Sequence, residues 1–586
     1  MGNMDRKKGI PIGIDDFRDM IVSNGYFVDK SLFIKEIIDD ISKVKLITRP
    51  RRFGKTLNLS MLRYFFEKTG EDNSRLFKDL KIWRQGDAYT KEQGQYPVVN
   101  LTFKDVKEKS FQNCYENLKI QLIEEYKRHD YILKSDKIRE IDKKLFWDII
   151  DAKASDVWYK NSLKLLTRLL YEHYQKEVIV LIDEYDTPIN HGYICGYYDD
   201  IIDFMRNFLG SGLKGNPNLK TAVITGIYRV AKESIFSGFN NLKVCSVINN
   251  PFADKFGFTE EEVEDILNYY NMDANIDDVK EWYNGYIFGE GTVIYNPWSI
   301  LNYIDNKKLQ PYWVNTSSND VIMDVLTRTE SGVKKKIQTL IEGGEIKDEV
   351  INTDTNFRDI QKKKIIGEEV LWSLLLVSGY LKPVNLRYSE YGDTICDLKV
   401  PNKEILKLYR DIISSWFETE EVTPDKIKEL LKELVEGDIE KFKEGFQYLV
   451  EKTFSYFDVG ENSAENFYHA FILGLLVNIE GKYKMKSNRE SGDGRPDVMI
   501  IPEDGTKKGV VMEFKIVRSG DEQALEAKAD EALEQIKKMN YTAELAASGI
   551  KEAVELAVVF HGKKVWIKYD VCPIVSVKKN VEKASF

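Results

Sequence analysis

The chain has 586 residues, 43% hydrophobic and 31% charged, enough for several domains with sizeable cores. A formal net charge of −10 excludes a protein that coats a polyanion over its whole surface, so any nucleic-acid contact must rest on a local basic patch. Five scattered cysteines without a C-x-x-C pair exclude a disulfide frame or thiolate zinc site, the N-terminus lacks the apolar core of a signal peptide, and no apolar run reaches the ~20 residues of a membrane span.

In a protein thus expected to be cytoplasmic with no membrane partner, residues 10–43 read as an N-terminal arm. Tyr26–Ser31 opens an amphipathic helix running to Ile41. A β-branched run, Val44–Thr48, leads into Arg49-Pro50-Arg51-Arg52-Phe53-Gly54-Lys55-Thr56 and a helical pattern to Glu67. Strand, turn and helix in that order make a phosphate-binding loop. Its backbone N–H groups meet an anion at the helix N-terminus, where the dipole favours negative charge. Gly54 belongs to the turn, with Arg51 and Arg52 in the loop beside the phosphates. Lys55 reaches the terminal phosphates, and Thr56 offers its hydroxyl to Mg²⁺. The general pattern wants glycine where Arg49 stands.

Further strands are expected at Pro97–Phe103, Val178–Ile182, Thr221–Gly226 and Lys243–Val247, with residues 110–175 mostly helical. Their continuous apolar character indicates a parallel sheet covered on both faces. Val178–Ile182 ends in Asp183-Glu184-Tyr185-Asp186, at the strand end where open α/β sheets place ligands. Asp183 suits the magnesium ion, and Glu184 can polarise a water for in-line attack on a γ-phosphate. Thr225, ending the next strand, is a candidate γ-phosphate sensor. Arg229 is either a charge stabiliser, in cis or across the interface of a homo-oligomer, or an ordinary solvated arginine. ATP with Mg²⁺ is the expected cofactor pair.

From Thr259 the chain turns to helices rich in acids and aromatics. The segments around Trp282-Tyr283, Trp298 and Trp313 read as a lid packed on the nucleotide core, in preference to a base-stacking surface. A helix (Val370–Ser378) followed by strands Tyr380–Leu386 and Thr394–Val400 outlines a winged-helix-like module. Arg387 is the basic residue on its wing, so packing is favoured over DNA binding. Residues 402–455 form connector helices.

A second constellation lies near the C-terminus. A helix opens at Glu465-Asn466-Phe467-Tyr468-His469, and Arg495-Pro496-Asp497 precedes a hairpin of Val498–Ile501 and Val510–Ile516. Strand alternation puts Glu513 and Lys515 on one face. Asp497 and Glu513 offer hard oxygens to Mg²⁺ or Mn²⁺, with Glu465 a further metal-binding acid and His469 one turn along. Lys515 can orient the attacking water and offset charge on the scissile phosphate. On the next helix, Ala524–Met539, Gln535 is a candidate to face the site. Lys482, Lys484, Lys486, Arg489, Lys563 and Lys564 can grip a phosphate backbone.

With both constellations in place, the chain resembles the bacterial AAA-ATPase-like family that carries a C-terminal PD-(D/E)XK nuclease domain. The likeness rests on Arg49–Thr56, Leu181–Asp186, Trp282–Tyr286, Glu465–His469, Arg495–Asp497 and Glu513–Lys515. It implies an α/β fold in three parts. These are an additional-strand P-loop core (1–258), a helical and winged-helix-like middle region (259–455) and a restriction-endonuclease-like domain (456–586). It also implies an ATPase and nuclease in which Asp497, Glu513 and Lys515 are catalytic beside Glu184 in the first site, with Glu465 the helix-borne acid. Nucleic acid is the expected partner, DNA favoured over RNA. Two rival readings are a nucleotide-switched scaffold with a non-catalytic nuclease fold and a winged-helix DNA-binding regulator.

Overall fold

Short apolar runs buried on both faces build the first sheet. They are β1 (Val44–Thr48), β2 (Val98–Thr102), β3 (Val178–Asp183), β4 (Leu219–Gly226) and β5 (Leu242–Cys245). All pair in parallel, in the order β2-β3-β4-β1-β5. β4 therefore stands between the strand that feeds the phosphate loop and the strand that ends in Asp183. Every residue of β1 and β3 is buried, as a sheet covered on both faces requires. Helix α1 (Lys55–Phe66) leaves the loop directly, with Gly54 at its N-cap. The N-terminal arm contributes a helix at Leu32–Asp39, shorter than its sequence pattern suggests.

The computed structural model describes residues 7–230, 235–236, 239–273, 275–314, 320–328, 331–341, 343–355, 357, 360, 365–416, 423–453, 472, 475, 483–487, 496–518 and 520–574. One unit comprises Met1–Glu330 with Glu345–Leu406, and the other Ser331–Gly344 with Lys407–Phe586. The first sheet and most of the middle region belong to the first unit. There α2 (Thr187–Cys195) follows β3, and α3 (Pro297–Asn306) lies in the aromatic segment. A winged-helix-like module is present: β6 (Ile346–Ile351), α4 (Glu368–Val377), β7 (Lys382–Tyr388) and β8 (Thr394–Lys399). Its antiparallel sheet runs β7-β8-β6, so a strand ahead of the helix completes the hairpin. Arg387 on the wing is ion-paired with Asp348 and Asp397, which favours packing over phosphate contact.

The second unit holds a mixed sheet of β9 (Tyr483–Ser487), β10 (Val498–Pro502), β11 (Gly509–Ile516), β12 (Glu552–His561) and β13 (Lys564–Pro573), adjacent in that order. Pairing is antiparallel except between β11 and β12. Those two are joined by α5 (Glu522–Lys538), because parallel neighbours need a crossover. Leu525, Ala529, Ala532 and Ile536 of α5 bury against Met499, Val511, Ala557 and Val559 of the sheet. The small alanines let the helix approach closely. Among the described residues no helix is long and apolar enough to cross a membrane.

Candidate functional site

The phosphate loop is braced by the residue that breaks its general pattern. Arg49 is fully buried, and one guanidinium nitrogen donates to the carbonyls of Thr48 and Cys245, both at 2.8 Å. The other donates to the carbonyls of Pro251 and Phe252 at 3.2 and 3.3 Å. Its plane lies over Phe288 and Phe256, at 5.0 and 5.5 Å from the ring centres. Burial pushes its pKa down to about 10, which leaves it charged at neutral pH. Arg49 thus fastens the loop entry to the segment after β5, and the turn itself is made by Arg52 (φ 67°) and Gly54 (φ 80°).

Beyond the turn, the loop residues meet the end of β3. Thr56 donates to one oxygen of Asp183 at 2.6 Å, and Thr225, abreast on β4, donates to the other at 2.5 Å. Burial and then Glu184 raise the pKa of Asp183, against these two hydroxyls. Lys55 is buried, and its amine donates to the carbonyls of Arg49 and Pro50 at 3.1 and 2.9 Å. Burial lowers its pKa, while Glu184, Asp183 and Asp186 oppose that. Glu184 takes a left-handed backbone (φ 50°), and the hydroxyl of Thr187 donates to its carboxylate at 3.2 Å.

Lys55, Thr56 and Glu184 border a cavity of about 340 Å³ whose lining runs through Arg51–Asn58 and also includes Asp186, Trp298 and Lys104. Arg52 stacks over the Trp298 ring at 4.4 Å from its centre. Asp186, given no role of its own in the sequence reading, accepts the N–H groups of Ile227 and Tyr228 at 2.9 and 2.8 Å. Burial raises its pKa to about 6. Arg229 is placed elsewhere: it is ion-paired with Asp354 and does not line the cavity.

In the second unit, alternation on β11 places Glu513 and Lys515 together, and the lysine amine donates to Glu513 Oε1 at 2.8 Å. Gln535, from α5, donates to the same oxygen and approaches the Tyr541 hydroxyl at 3.3 Å. Asp497, immediately before β10, accepts the N–H of Phe514 at 2.7 Å. Glu513 is 3% exposed, and its Oε2 has no partner among the described residues. Burial, then the nearby Asp497 charge, raise its pKa to about 7 against Lys515 and Gln535. A buried carboxylate oxygen without a partner, next to a second carboxylate, suits a hard divalent cation. Among the described residues no group of three or more acids, histidines or cysteines gathers as a metal site. Glu465, His469, Arg489, Lys482 and Arg495 lie outside the described residues. Of the basic residues nearby, Lys486 is ion-paired with Glu544.

Residues 11–236 match the family model described as predicted AAA-ATPase, and residues 463–570 match that of the PD-(D/E)XK nuclease superfamily. The chain carries a AAA-ATPase-like domain and, at its C-terminus, a PD-(D/E)XK superfamily domain. Its first sheet is a five-stranded parallel one, and its mixed C-terminal sheet is consistent with the second domain. An uncharacterised protein from the vnfD 5′ region of Azotobacter chroococcum mcd 1 is 26% identical over 381 residues, 63% of this chain and 67% of that one. Domains of these two kinds use a nucleotide and a divalent metal, and the nuclease fold implies contact with nucleic acid.

Proposed function

We propose that this protein is an ATPase that controls a nuclease. Residues 1–258 hydrolyse ATP, residues 259–455 relay its state, and residues 456–586 cleave phosphodiester bonds with Mg²⁺ or Mn²⁺, in DNA before RNA. The reading rests on one observation above all: Glu513 keeps a buried, unpartnered oxygen beside Asp497 and Lys515. Asp497 and Glu513 would hold the cation, with Glu465 the further acid, and a bound cation would acidify water and polarise the phosphate. Lys515 orients the attacking water and screens charge on the scissile phosphate, while Gln535 fixes the rotamer of Glu513. In the first unit Thr56 and Asp183 hold Mg²⁺, Lys55 with Arg51 and Arg52 binds the phosphates, Thr225 positions Asp183, and Glu184 polarises the attacking water. Burial pushes the thiols of Cys114 and Cys245 up to about 11.

The test is cleavage of single- and double-stranded DNA and RNA with Mg²⁺ or Mn²⁺, with and without ATP, by wild type, Lys55→Ala and Lys515→Ala. Cleavage that needs metal, responds to ATP and disappears in Lys515→Ala is expected. If no substrate is cut but Lys55→Ala abolishes a nucleotide-dependent change in shape or assembly, a nucleotide-switched scaffold replaces the nuclease. Cleavage by Lys515→Ala at the wild-type rate removes the assignment of this site.

A further inference from the structure

Among the lysines that line the nucleotide cavity besides Lys55, Lys104 stands just past the end of β2. β2 is the parallel neighbour of β3, with Thr102 abreast of Asp183. The next residue, Phe103, donates its N–H to the carbonyl of Asp183 at 3.0 Å. That register delivers Lys104 to the strand end where Glu184 turns into its left-handed conformation. Lys104, Glu184 and Lys55 all line the same cavity. Lys104 is half-exposed and held by an ion pair, its amine 2.6 Å from Asp15 of the N-terminal arm. Asp15 and, more weakly, Glu184 raise its pKa, so it is a full cation. Solvated pairs of this kind are worth little, and a phosphate can displace the aspartate.

Phosphoryl transfer needs positive charge where the transferring group's oxygens gain negative charge, and Lys55, Arg51 and Arg52 supply it from the phosphate-loop wall. Arg229, the sequence candidate for a charge stabiliser, is ion-paired with Asp354 and is not among the residues that line the cavity. We propose that Lys104 adds positive charge from outside the loop, a catalytic residue that contacts the γ-phosphoryl oxygens during ATP hydrolysis. The inference rests on the ATPase reading above. In the step it serves, an oxygen of water bonds to the γ-phosphorus as the bond to the β,γ-bridging oxygen breaks. ADP leaves with the electron pair, the water's proton passes through Glu184 to phosphate, and Lys104 keeps its proton throughout. A cation in cis would make hydrolysis independent of a neighbouring subunit's arginine.

The experiment is steady-state ATP hydrolysis by the full chain, comparing wild type with Lys104→Met and Lys104→Arg. Lys104→Met should lower kcat about 100-fold while KM moves less than about threefold, and Lys104→Arg should restore at least about a tenth of wild-type kcat. Thermal unfolding of both variants should match wild type, since the lysine's stem and its exposed pair add little. Wild-type kcat in Lys104→Met overturns this assignment and leaves the ATPase standing. A parallel fall in the arginine variant marks a packing role and overturns it too. Absence of hydrolysis by wild type removes the ATPase reading itself.

Discussion

The two candidate sites differ in how they stand without a ligand. In the first unit the candidate magnesium ligand and the loop lysine are already satisfied: both oxygens of Asp183 accept hydroxyls, and Lys55 donates to two loop carbonyls. In the second, Lys515 and Gln535 both donate to one oxygen of Glu513, and the other has no partner among the described residues. A nucleotide must therefore exchange existing bonds for new ones, which favours a switch with a small net change. A cation at Glu513 instead relieves a buried carboxylate whose missing partner costs about 1–3 kcal/mol. The first site is arranged to respond, the second to be filled.

The largest effect should come from removing a charge that each site cannot replace. Lys55→Ala should lower ATP hydrolysis at least about 100-fold, and Lys515→Ala should lower metal-dependent cleavage similarly, measured on the full chain. The contrast sharpens with metal alone. Mg²⁺ or Mn²⁺ without nucleotide should raise the melting temperature of wild type, and Glu513→Gln should erase that rise. EDTA should reverse it. A metal-induced rise of equal size in Glu513→Gln would place the cation elsewhere.

Next in size is a substitution that improves the motif on paper. Arg49→Gly restores the general phosphate-loop pattern, yet it leaves the carbonyls of Cys245, Pro251 and Phe252 without their donor. Thermal or denaturant unfolding should show the first unit destabilised by about 3–5 kcal/mol. Equal stability would mean that water replaces the guanidinium freely, and that the loop is less self-sufficient than the comparison holds.

Arg49 also marks where the sequence stops being legible. The five parallel strands can be read because burial on both faces leaves continuous apolar runs, and Asp183-Glu184 announces itself at the end of one. Alternation alone pairs Glu513 with Lys515. The partners of Arg49 and Arg229 lie far along the chain, and in the first case they are backbone carbonyls, which carry no residue identity. Lys104 gains its meaning only from the β2–β3 register. β12 escapes notice because Ala-Val-Glu-Leu-Ala favours helix, and tertiary packing overrides that preference. β13 follows the same pairing, turning at Gly562 with φ 56°.

A smaller effect is expected at the residue that aims Glu513. Gln535→Ala should lower cleavage about 10- to 100-fold and weaken metal affinity, as loss of a supporting hydrogen bond does around metal ligands. Gln535→Glu should do worse, because it adds a third negative charge beside Asp497 and Glu513. If Gln535→Ala cleaves like wild type, Lys515 alone suffices to orient Glu513.

Glu404 provides the smallest effect and the closest control, since burial raises its pKa to about 7, as for Glu513. Its partners are complete where those of Glu513 are not. Oε1 accepts the N–H groups of Tyr312 and Trp313, and Oε2 accepts the Ser299 hydroxyl at 2.8 Å. The folded chain holds the Glu404 proton more tightly than the unfolded chain does. Its contribution to stability is thus complete below the unfolded value of about 4.5 and declines as pH rises through about 7. The decline cannot exceed about 1.4 kcal/mol per pH unit. Glutamine imitates the protonated acid here, its oxygen toward the two N–H groups and its amide toward Ser299. Glu404→Gln should therefore match wild type near pH 4, gain on it by about 1 kcal/mol per unit between about 4.5 and 7, and keep a constant lead above that, read from denaturant midpoints. It should leave metal-induced stabilisation untouched, where Glu513→Gln abolishes it. Parallel pH profiles for Glu404→Gln and wild type would show that the hydrogen bonds outweigh burial and keep Glu404 ionised, so that a buried carboxylate with full partners needs neither proton nor cation.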